Sequence, residues 1–307
     1  MELYKSRQEF QDAVIAVADY YHISPAIVEK DYFVSIVLMN LQKYIPGVLF
    51  KGGTSLSKCF KIIERFSEDI DITLDETHFT QSNKRKANKA VIDICDELGF
   101  EIQNREQVEL HSHGNYNCYN IEYPVTFSDY GVKPFIKLEM TFIQKAYPDT
   151  TKPVTSLIGE YLIAIGQEAV LPQYELTSFD MKVQSLERTF VDKVFALCDY
   201  YIRGEVLRQS RHIYDINKLM KVIDWESLGD LVHDVRNDRM LNKTCVSAQP
   251  GVSIPTTLKE IIDTRYFEKD YEEVTSALLN EKVKYETAVE SLEIIAGSTL
   301  FTISTHS

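Results

Sequence analysis

The chain has 307 residues, of which 44% are hydrophobic, and 33 Lys and Arg against 46 Asp and Glu give it a formal net charge of −13. Such a chain can bury a sizeable core in one large or two smaller domains, and its excess of acid argues against broad nucleic-acid affinity, because Lys and Arg supply most phosphate binding. The five cysteines show no Cys-x-x-Cys spacing, which argues against a disulfide framework and against structural zinc.

The first 45 residues predict two helices. Apolar residues recur at helical spacing from residue 6, and the pattern breaks at Ser24 and Pro25. Ser24 is a typical cap and Pro25 a typical first residue of a second helix. No basic-then-apolar signal precedes these helices, and the apolar runs are too short to span a membrane. We therefore expect a cytoplasmic protein without a membrane partner.

A glycine-containing turn follows the predicted buried strand Val48–Phe50. Gly52 and Gly53 allow the backbone to approach anionic oxygens closely. The apolar spacing from residue 56 to 63 predicts a helix whose N-terminus would favour an anion. The turn is therefore predicted to hold phosphate. The residues near it that we expect to bind a nucleotide are Gly52, Gly53, Thr54, Ser55, Lys58, Arg65 and Ser67.

The run from residue 69 to 74 predicts a strand beside Val48–Phe50. Successive side chains of a strand alternate between faces, so Asp69 and Asp71 would share one face and the isoleucines between them the other. Two carboxylates about 7 Å apart along a strand can bind Mg²⁺ ions that bridge nucleotide phosphates. A phosphate-holding turn that leads into a metal-holding strand is typical of a nucleotidyltransferase.

The remainder of the first half predicts further sheet. An amphipathic helix from residue 88 to 98 precedes a short strand, and residues 116–127 and 132–143 alternate like a hairpin that turns at 128–131. Glu139 lies between Leu138 and Met140 in the second hairpin strand, where a carboxylate could reach a metal from the sheet. The alternative is an edge strand whose polar face, with Lys137 and Glu139, lies in water.

From about residue 153 the pattern becomes helical, with helices predicted over residues 156–164, 185–201, 209–222 and 258–291. The fold class is therefore α+β, with a small mixed sheet and helices in residues 1–150 and a mainly helical domain in residues 151–307. Lys193 lies at the margin of an apolar helical stripe, so its ammonium either reaches solvent or points into a polar cleft. Asp215 by itself could be a surface carboxylate.

Four motifs of this sequence resemble the AbiEii/AbiGii toxin family, the nucleotidyltransferase-like toxins of bacterial abortive-infection and type IV toxin–antitoxin pairs. They cover residues from about 25 to 220. The first motif carries both the glycine turn and the acidic strand, and the order and spacing of all four are more specific than any one of them. The first motif is Lys51–Leu56 with Arg65–Asp71. Before it in the chain lies Val28–Phe33, and after it come Lys137–Met140 and then Asp192–Leu197 with Arg211–Ile216.

The resemblance implies a nucleotidyltransferase fold for the first half and a catalytic role for Asp69, Asp71, Lys193 and Asp215. Lys193 and Asp215 would come from the helical half into the active-site cleft, where Lys193 would bind the nucleotide phosphates and Asp215 would assist catalysis or orient the lysine. Asp69, Asp71 and Glu139 would bind Mg²⁺ or Mn²⁺. The substrate would be an NTP.

The resemblance further implies a toxin that inhibits growth and is held in check by a cognate antitoxin protein. Our first hypothesis is transfer of NMP from the NTP to an RNA acceptor, with the 3′ end of tRNA as the first candidate. A second hypothesis is nucleotidylation or phosphorylation of a protein hydroxyl, on the antitoxin or on another target. A third is a non-catalytic nucleotide-binding module, although the set of carboxylates and Lys193 argues against it.

Overall fold

The computed structural model describes residues 2–110, 114–129, 131–143 and 145–302. The chain forms two compact units, the first from Met1–Phe60 and Ser67–Val183 and the second from Lys61–Phe66 and Gln184–Ser307. This division differs from the boundary predicted at residue 150, because the sheet of the first unit takes two further strands from beyond that point.

In its described residues, the first unit carries six α-helices. Pro25 begins the second of them and Ser24 occupies its N-cap position as predicted, although the Ser24 side chain makes no capping hydrogen bond. Short 3₁₀ turns occur at Leu3–Lys5, Glu76–His78 and Glu168–Tyr174. The helices are α1 (Arg7–Tyr21), α2 (Pro25–Tyr44), α3 (Gly52–Lys58), α4 (Gln81–Leu98), α5 (Arg105–Leu110) and α6 (Leu157–Ala164).

A seven-stranded mixed sheet forms the centre of this unit. Its strands are β1 (Val48–Lys51), β2 (Ile70–Leu74), β3 (Glu101–Ile102), β4 (Tyr116–Glu122), β5 (Phe135–Thr141), β6 (Asp149–Val154) and β7 (Phe179–Gln184), in the spatial order β3-β4-β5-β2-β1-β7-β6. β1 is antiparallel to β2 and parallel to β7, while β5 is parallel to β2 and antiparallel to β4. The predicted β4–β5 hairpin is confirmed, although Tyr130 in its turn lies outside the described residues.

Alternation along β5 fixes which side chains reach the core. Ile136, Leu138 and Met140 are at most 1% exposed, whereas the residues between them are partly exposed. Burying each such apolar side chain contributes about 1.5–3 kcal/mol, and a slip by one residue would turn all three toward water. The same register therefore keeps Lys137 and Glu139 on the open face of the sheet.

The second unit is helical. Its helices are α7 (Leu186–Arg203), α8 (Arg211–Met220), α9 (Gly229–Met240), α10 (Ile254–Asp263), α11 (Glu268–Asp270), a π-helix (Tyr271–Thr275), α12 (Ser276–Leu278) and α13 (Tyr285–Gly297), with 3₁₀ turns at Trp225–Ser227 and Val246–Ala248. The prediction of one continuous helix from residue 258 to residue 291 is wrong. Helix α10 ends before Arg265, which has a positive φ of 49°, and a second break separates α12 from α13.

Residues 61–66 join this unit through main-chain hydrogen bonds. The amide of Phe66 donates to the carbonyl of Leu278 (3.0 Å), and the amide of Asn280 donates to the carbonyl of Glu64 (2.8 Å). Arg65 forms an isolated antiparallel bridge with Leu279. The segment between the glycine turn and the acidic strand is thus held by the loop that follows α12.

None of the five cysteines forms a disulfide, and all but Cys118 are buried. Burial raises the pKa of the Cys95 thiol to about 12, so this cysteine is a packed thiol rather than a reactive one. In the part of the chain that the structure describes, no helix has both the length and the apolar character needed to cross a membrane.

Candidate active site

The glycine turn lies directly against the carboxylate of Asp71. Gly52 has a φ of +79°, and a Cβ placed on it would lie 2.1 Å from Oδ2 of Asp71. Only glycine satisfies both the backbone conformation and this close approach. Helix α3 starts at Gly52 rather than at the predicted residue 56 and ends at Lys58, so both glycines belong to its first turn. The first motif therefore brings its glycines and its second acid into contact.

Thr54 and Ser67 hold the backbone of Asp69. The hydroxyl of Thr54 donates to the carbonyl oxygen of Asp69 (2.5 Å) and lies 3.0 Å from the hydroxyl of Ser67. Strand β2 begins at Ile70, one residue later than predicted, so Asp69 occupies the entry to the strand. The predicted phosphate contacts of Thr54 and Ser67 stay predictions, and their observed role is to fix the position of this acid.

Asp71 and Glu139 are direct neighbours on two parallel strands. The register pairs Asp71 of β2 with Glu139 of β5, as expected for a third carboxylate on an adjacent strand. Burial, reinforced by the negative charges of Glu139 and Asp69, raises the pKa of Asp71 to about 7. The acids are therefore close enough to repel one another when ionised.

Two donors converge on one oxygen of Glu139. The ammonium of Lys137 lies 2.8 Å from Oε1 of Glu139, and the hydroxyl of Tyr116 donates to the same oxygen at 2.5 Å. Burial would raise the pKa of Glu139, but these hydrogen bonds outweigh it and keep that pKa below its usual value. Sequence reasoning missed Tyr116. Lys137 could have been predicted as a neighbour of Glu139, because residues two apart on a strand lie on the same face.

A buried lysine supports the entry to both acidic strands. The ammonium of Lys30, on α2, donates to Oε2 of Glu68 (2.6 Å) and to the carbonyls of Lys133 (2.8 Å) and Phe135 (2.7 Å). Lys30 is 1% exposed, so all three of its N–H donors are used inside the protein. A lysine within the largely apolar α2 was a readable signal that sequence reasoning did not use.

The donor set around Asp71 fits a hard divalent cation. It consists of carboxylate oxygens, which Mg²⁺ and Mn²⁺ prefer, and Oδ1 of Asp69 is buried without a hydrogen-bond partner. Within the described ranges, however, no three His, Cys, Asp or Glu side chains are arranged so that they could hold a metal ion together. The ligand set of Asp69, Asp71 and Glu139 therefore stays a prediction.

The second unit contains a separate buried cluster of charges. Arg65 makes a bidentate pair with Asp215, with distances of 2.7 Å from Nε to Oδ1 and 2.8 Å from an Nη to Oδ2. Lys193 lies 2.7 Å from the same Oδ2. Burial would raise the pKa of Asp215, but Arg65 and Lys193 outweigh it and hold that pKa well below its usual range. Asp215 thus orients both cations, and burial lowers the pKa of Lys193.

Two predicted phosphate contacts are engaged elsewhere. The ammonium of Lys58 pairs with Asp31 (2.5 Å) and donates to the carbonyl of Thr155 (3.0 Å). The hydroxyl of Ser55, which is fully buried, donates to the carbonyl of Gly52 (2.8 Å). Lys58 therefore joins α2, α3 and the segment before α6, and the contacts of Lys58 and Ser55 with phosphate stay predictions.

The structure thus brings together two groups of predicted residues, one in each unit. The first group contains Gly52, Asp71 and Glu139, with Asp69 beside them. The second contains Arg65, Lys193 and Asp215. That Lys193 and Asp215 share a cleft with Asp69 and Asp71 stays a prediction.

Comparison with known proteins agrees with these motifs. A family model described as "Nucleotidyl transferase AbiEii toxin, Type IV TA system" matches residues 37–291. No curated protein sequence matches the chain. Among solved structures, the nucleotidyltransferase toxin MenT4 from Mycobacterium tuberculosis H37Rv is similar over 95% of this chain and 90% of its own, with a TM-score of 0.54 and 15% identity. JHP933 from Helicobacter pylori gives a TM-score of 0.42 at 15% identity, over 85% of this chain and 87% of its own. At such identity, the similarity to MenT4 concerns the fold alone.

Proposed function

This chain belongs to the AbiEii family of nucleotidyltransferase toxins of type IV toxin–antitoxin systems, and we propose that it transfers NMP from an NTP to an RNA acceptor. The observation that carries the proposal is the position of Asp71, which contacts the glycine turn on one side and pairs with Glu139 on the other. The same carboxylate therefore adjoins both the expected phosphate-binding turn and the expected third ligand.

Asp69, Asp71 and Glu139 would hold Mg²⁺ or Mn²⁺. When bound, such a cation lowers the pKa of an attacking hydroxyl and neutralises a leaving pyrophosphate. The residues around the carboxylates fix their positions: Thr54 holds the backbone of Asp69, and Tyr116 orients Glu139. The contribution of the protein is then chiefly positioning and charge stabilisation.

In the first unit, the backbone of Gly52 and Gly53 would bind the triphosphate, and in the second unit Lys193 is the proposed phosphate ligand. Arg65 and Lys193 place two cations beside the one carboxylate of Asp215, and all three side chains are at most 8% exposed. Cations held in this way can form charge-assisted hydrogen bonds to a phosphate group. The role of Asp215 would be to hold the two cations in the correct orientation for that contact.

For the acceptor we propose the 3′ end of tRNA, in the cytoplasm, with a cognate antitoxin as the protein that limits the reaction. Family membership supports the antitoxin, since the family consists of toxins of toxin–antitoxin systems, whereas the tRNA acceptor is what the resemblance of the motifs implies. The net charge of −13 means that RNA would be bound by a local group of cations rather than by the surface as a whole.

Incubation of the purified protein with each labelled NTP, Mg²⁺ and either total tRNA or cell lysate tests the proposal. The matched variant is Asp71→Asn, which keeps the shape of the side chain and removes its charge. We expect label on RNA with the wild-type protein and a loss of at least about 100-fold in the variant, as for groups that stabilise transition-state charge. Label on protein would instead support the second hypothesis. Equal activity of the two proteins would contradict the proposed site.

A further inference from the structure

The carboxylate of Glu139 is paired with a lysine that can leave it. Lys137 reaches Oε1 of Glu139 at 2.8 Å from the same strand face, and its side chain is 31% exposed. A lysine carries its charge on a flexible four-carbon stem, so its ammonium can reorient without movement of the strand. Tyr116 holds the same oxygen through a neutral hydroxyl. Glu139 would therefore stay oriented if Lys137 turned away.

Each acid of the candidate site has a lysine near it. Lys137 pairs with Glu139, and Lys133 lies 3.8 Å from Oδ1 of Asp69. Lys51 lies opposite Asp71 in the register of β1 and β2. Carboxylates that lie near one another repel when ionised unless cations stand beside them. These lysines provide that charge inside the first unit, and a divalent cation would provide the same charge in their place.

We propose that Lys137 is the counter-ion of Glu139 until a divalent cation binds, and that it then becomes a contact for the phosphates of the nucleotide. The inference rests on the proposed function of this site. A cation held by Glu139 neutralises the charge that attracts Lys137, and a triphosphate brings new negative charge to the same place. Lys137 thus competes with the metal and assists the nucleotide, so one substitution should change the two affinities in opposite directions.

The first measurement is the affinity of the protein for Mn²⁺ in the absence of nucleotide. It is determined from the electron paramagnetic resonance signal of the unbound ion. Lys137→Met keeps the length of the stem and removes the charge. We expect it to bind Mn²⁺ about five to ten times more tightly than the wild-type protein, because a nearby like charge has been removed from a partly exposed site. Lys137→Arg, which keeps the charge, should bind Mn²⁺ as the wild-type protein does.

The second measurement is the affinity of the Mn²⁺-saturated protein for a non-hydrolysable NTP analogue. Lys137→Met should weaken it about tenfold, the size expected for the loss of one charge-assisted phosphate contact. The matched control is Lys145→Met, which removes a lysine from the exposed pair with Glu76, in which the two side chains are 57% and 48% exposed. Because the net charge changes equally, the control should leave both affinities unchanged.

The outcomes separate the inference from the proposed function. Unchanged or weaker Mn²⁺ binding in Lys137→Met would overturn the inference, since a lysine that only supports Glu139 would give that result. Tighter Mn²⁺ binding with unchanged nucleotide affinity would also overturn it, because the transfer of Lys137 to the phosphates would not occur. A wild-type protein that binds no Mn²⁺ would overturn the proposed metal site and the inference with it.

Discussion

Single residues decide how closely the parts of the candidate site approach one another. Gly52 is the sharpest case, since its backbone conformation and its contact with Asp71 both exclude a side chain. We expect Gly52→Ala to lower the free energy of unfolding by about 1–3 kcal/mol and to lower nucleotidyl transfer by on the order of 100-fold, because Asp71 must move. Urea unfolding and labelled-NTP assays measure the two effects.

Gly99 offers the matched control for this substitution. It also has a positive φ, 71°, but a Cβ on it would meet no atom within 4 Å. Gly99→Ala should therefore lower stability by about 1 kcal/mol through backbone strain alone and leave transfer unchanged. If both variants lost activity equally, strain rather than contact with Asp71 would explain the loss.

Asp215 should make the free energy of unfolding depend on pH in the acid range. Its pKa is lowered in the folded protein, so its contribution is fully present above the unfolded value of about 3.9 and is lost as the pH falls from there toward the folded pKa. Asp215→Asn should remove this dependence and lower the free energy of unfolding at pH 7 by about 3–5 kcal/mol, because two buried cations lose their partner.

The measurement for Asp215→Asn is urea unfolding at pH 7 and at pH 3. Asp93→Asn is the control, since Asp93 pairs with Lys89 where both side chains are more than half exposed, and such pairs contribute little. A variant of Asp215 that unfolds like the wild-type protein at pH 7 would show that the pair with Arg65 and Lys193 is not stabilising.

Sequence reasoning identified the acids but not the partners of the cations. Strand alternation is a local period, so it predicts Asp69 and Asp71 on one face of their strand and Lys137 with Glu139 on one face of theirs. The pairing of Asp71 with Glu139 joins two strands that are far apart in the chain. Lys58 is the opposite case: its partner Asp31 is 27 residues away, and only the tertiary structure brings the two together. The charge of a lysine can be read from the sequence, whereas its partner depends on long-range contacts.

At the scale of elements, Lys30 connects α2 with the residues that lead into β2 and β5. Lys30→Met should lower the free energy of unfolding by about 3–5 kcal/mol, because it leaves Glu68 and two carbonyls without this donor. Lys30→Met combined with Glu68→Leu should recover part of that loss. A double-mutant cycle by urea unfolding measures the coupling, and strictly additive losses would contradict a direct role of this pair.

Among the strands, β6 and β7 were not predicted from the sequence. The alternation of Phe179, Met181 and Val183 indicates the strand β7, but it lies within the half of the chain that was predicted to be helical. Pro153 lies within β6 at the edge of the sheet. An edge strand tolerates proline, because one of its sides needs no ladder hydrogen bonds.

At the scale of the whole molecule, the segment 61–66 belongs to the second unit. A chain that ends at Val183 would lack Asp215 and Leu278, the partners of Arg65 and Phe66. We expect trypsin to cleave such a chain at Lys61 and Arg65 at least about ten times faster than the full chain, because local opening exposes the segment. Equal cleavage rates would show that these hydrogen bonds do not protect it.

Residues 61–66 belong to the second unit but interrupt the first unit in the chain. This arrangement also limits how the two units can be recombined with those of other proteins. The chain leaves the first unit after Phe60, returns at Ser67 and leaves it again after Val183. Neither unit can therefore be moved as one uninterrupted cassette in a gene fusion. A chimaera that joins the first unit of one homologue to the helices of another would need its hexapeptide from the donor of the helices, with two extra crossover points in the coding sequence.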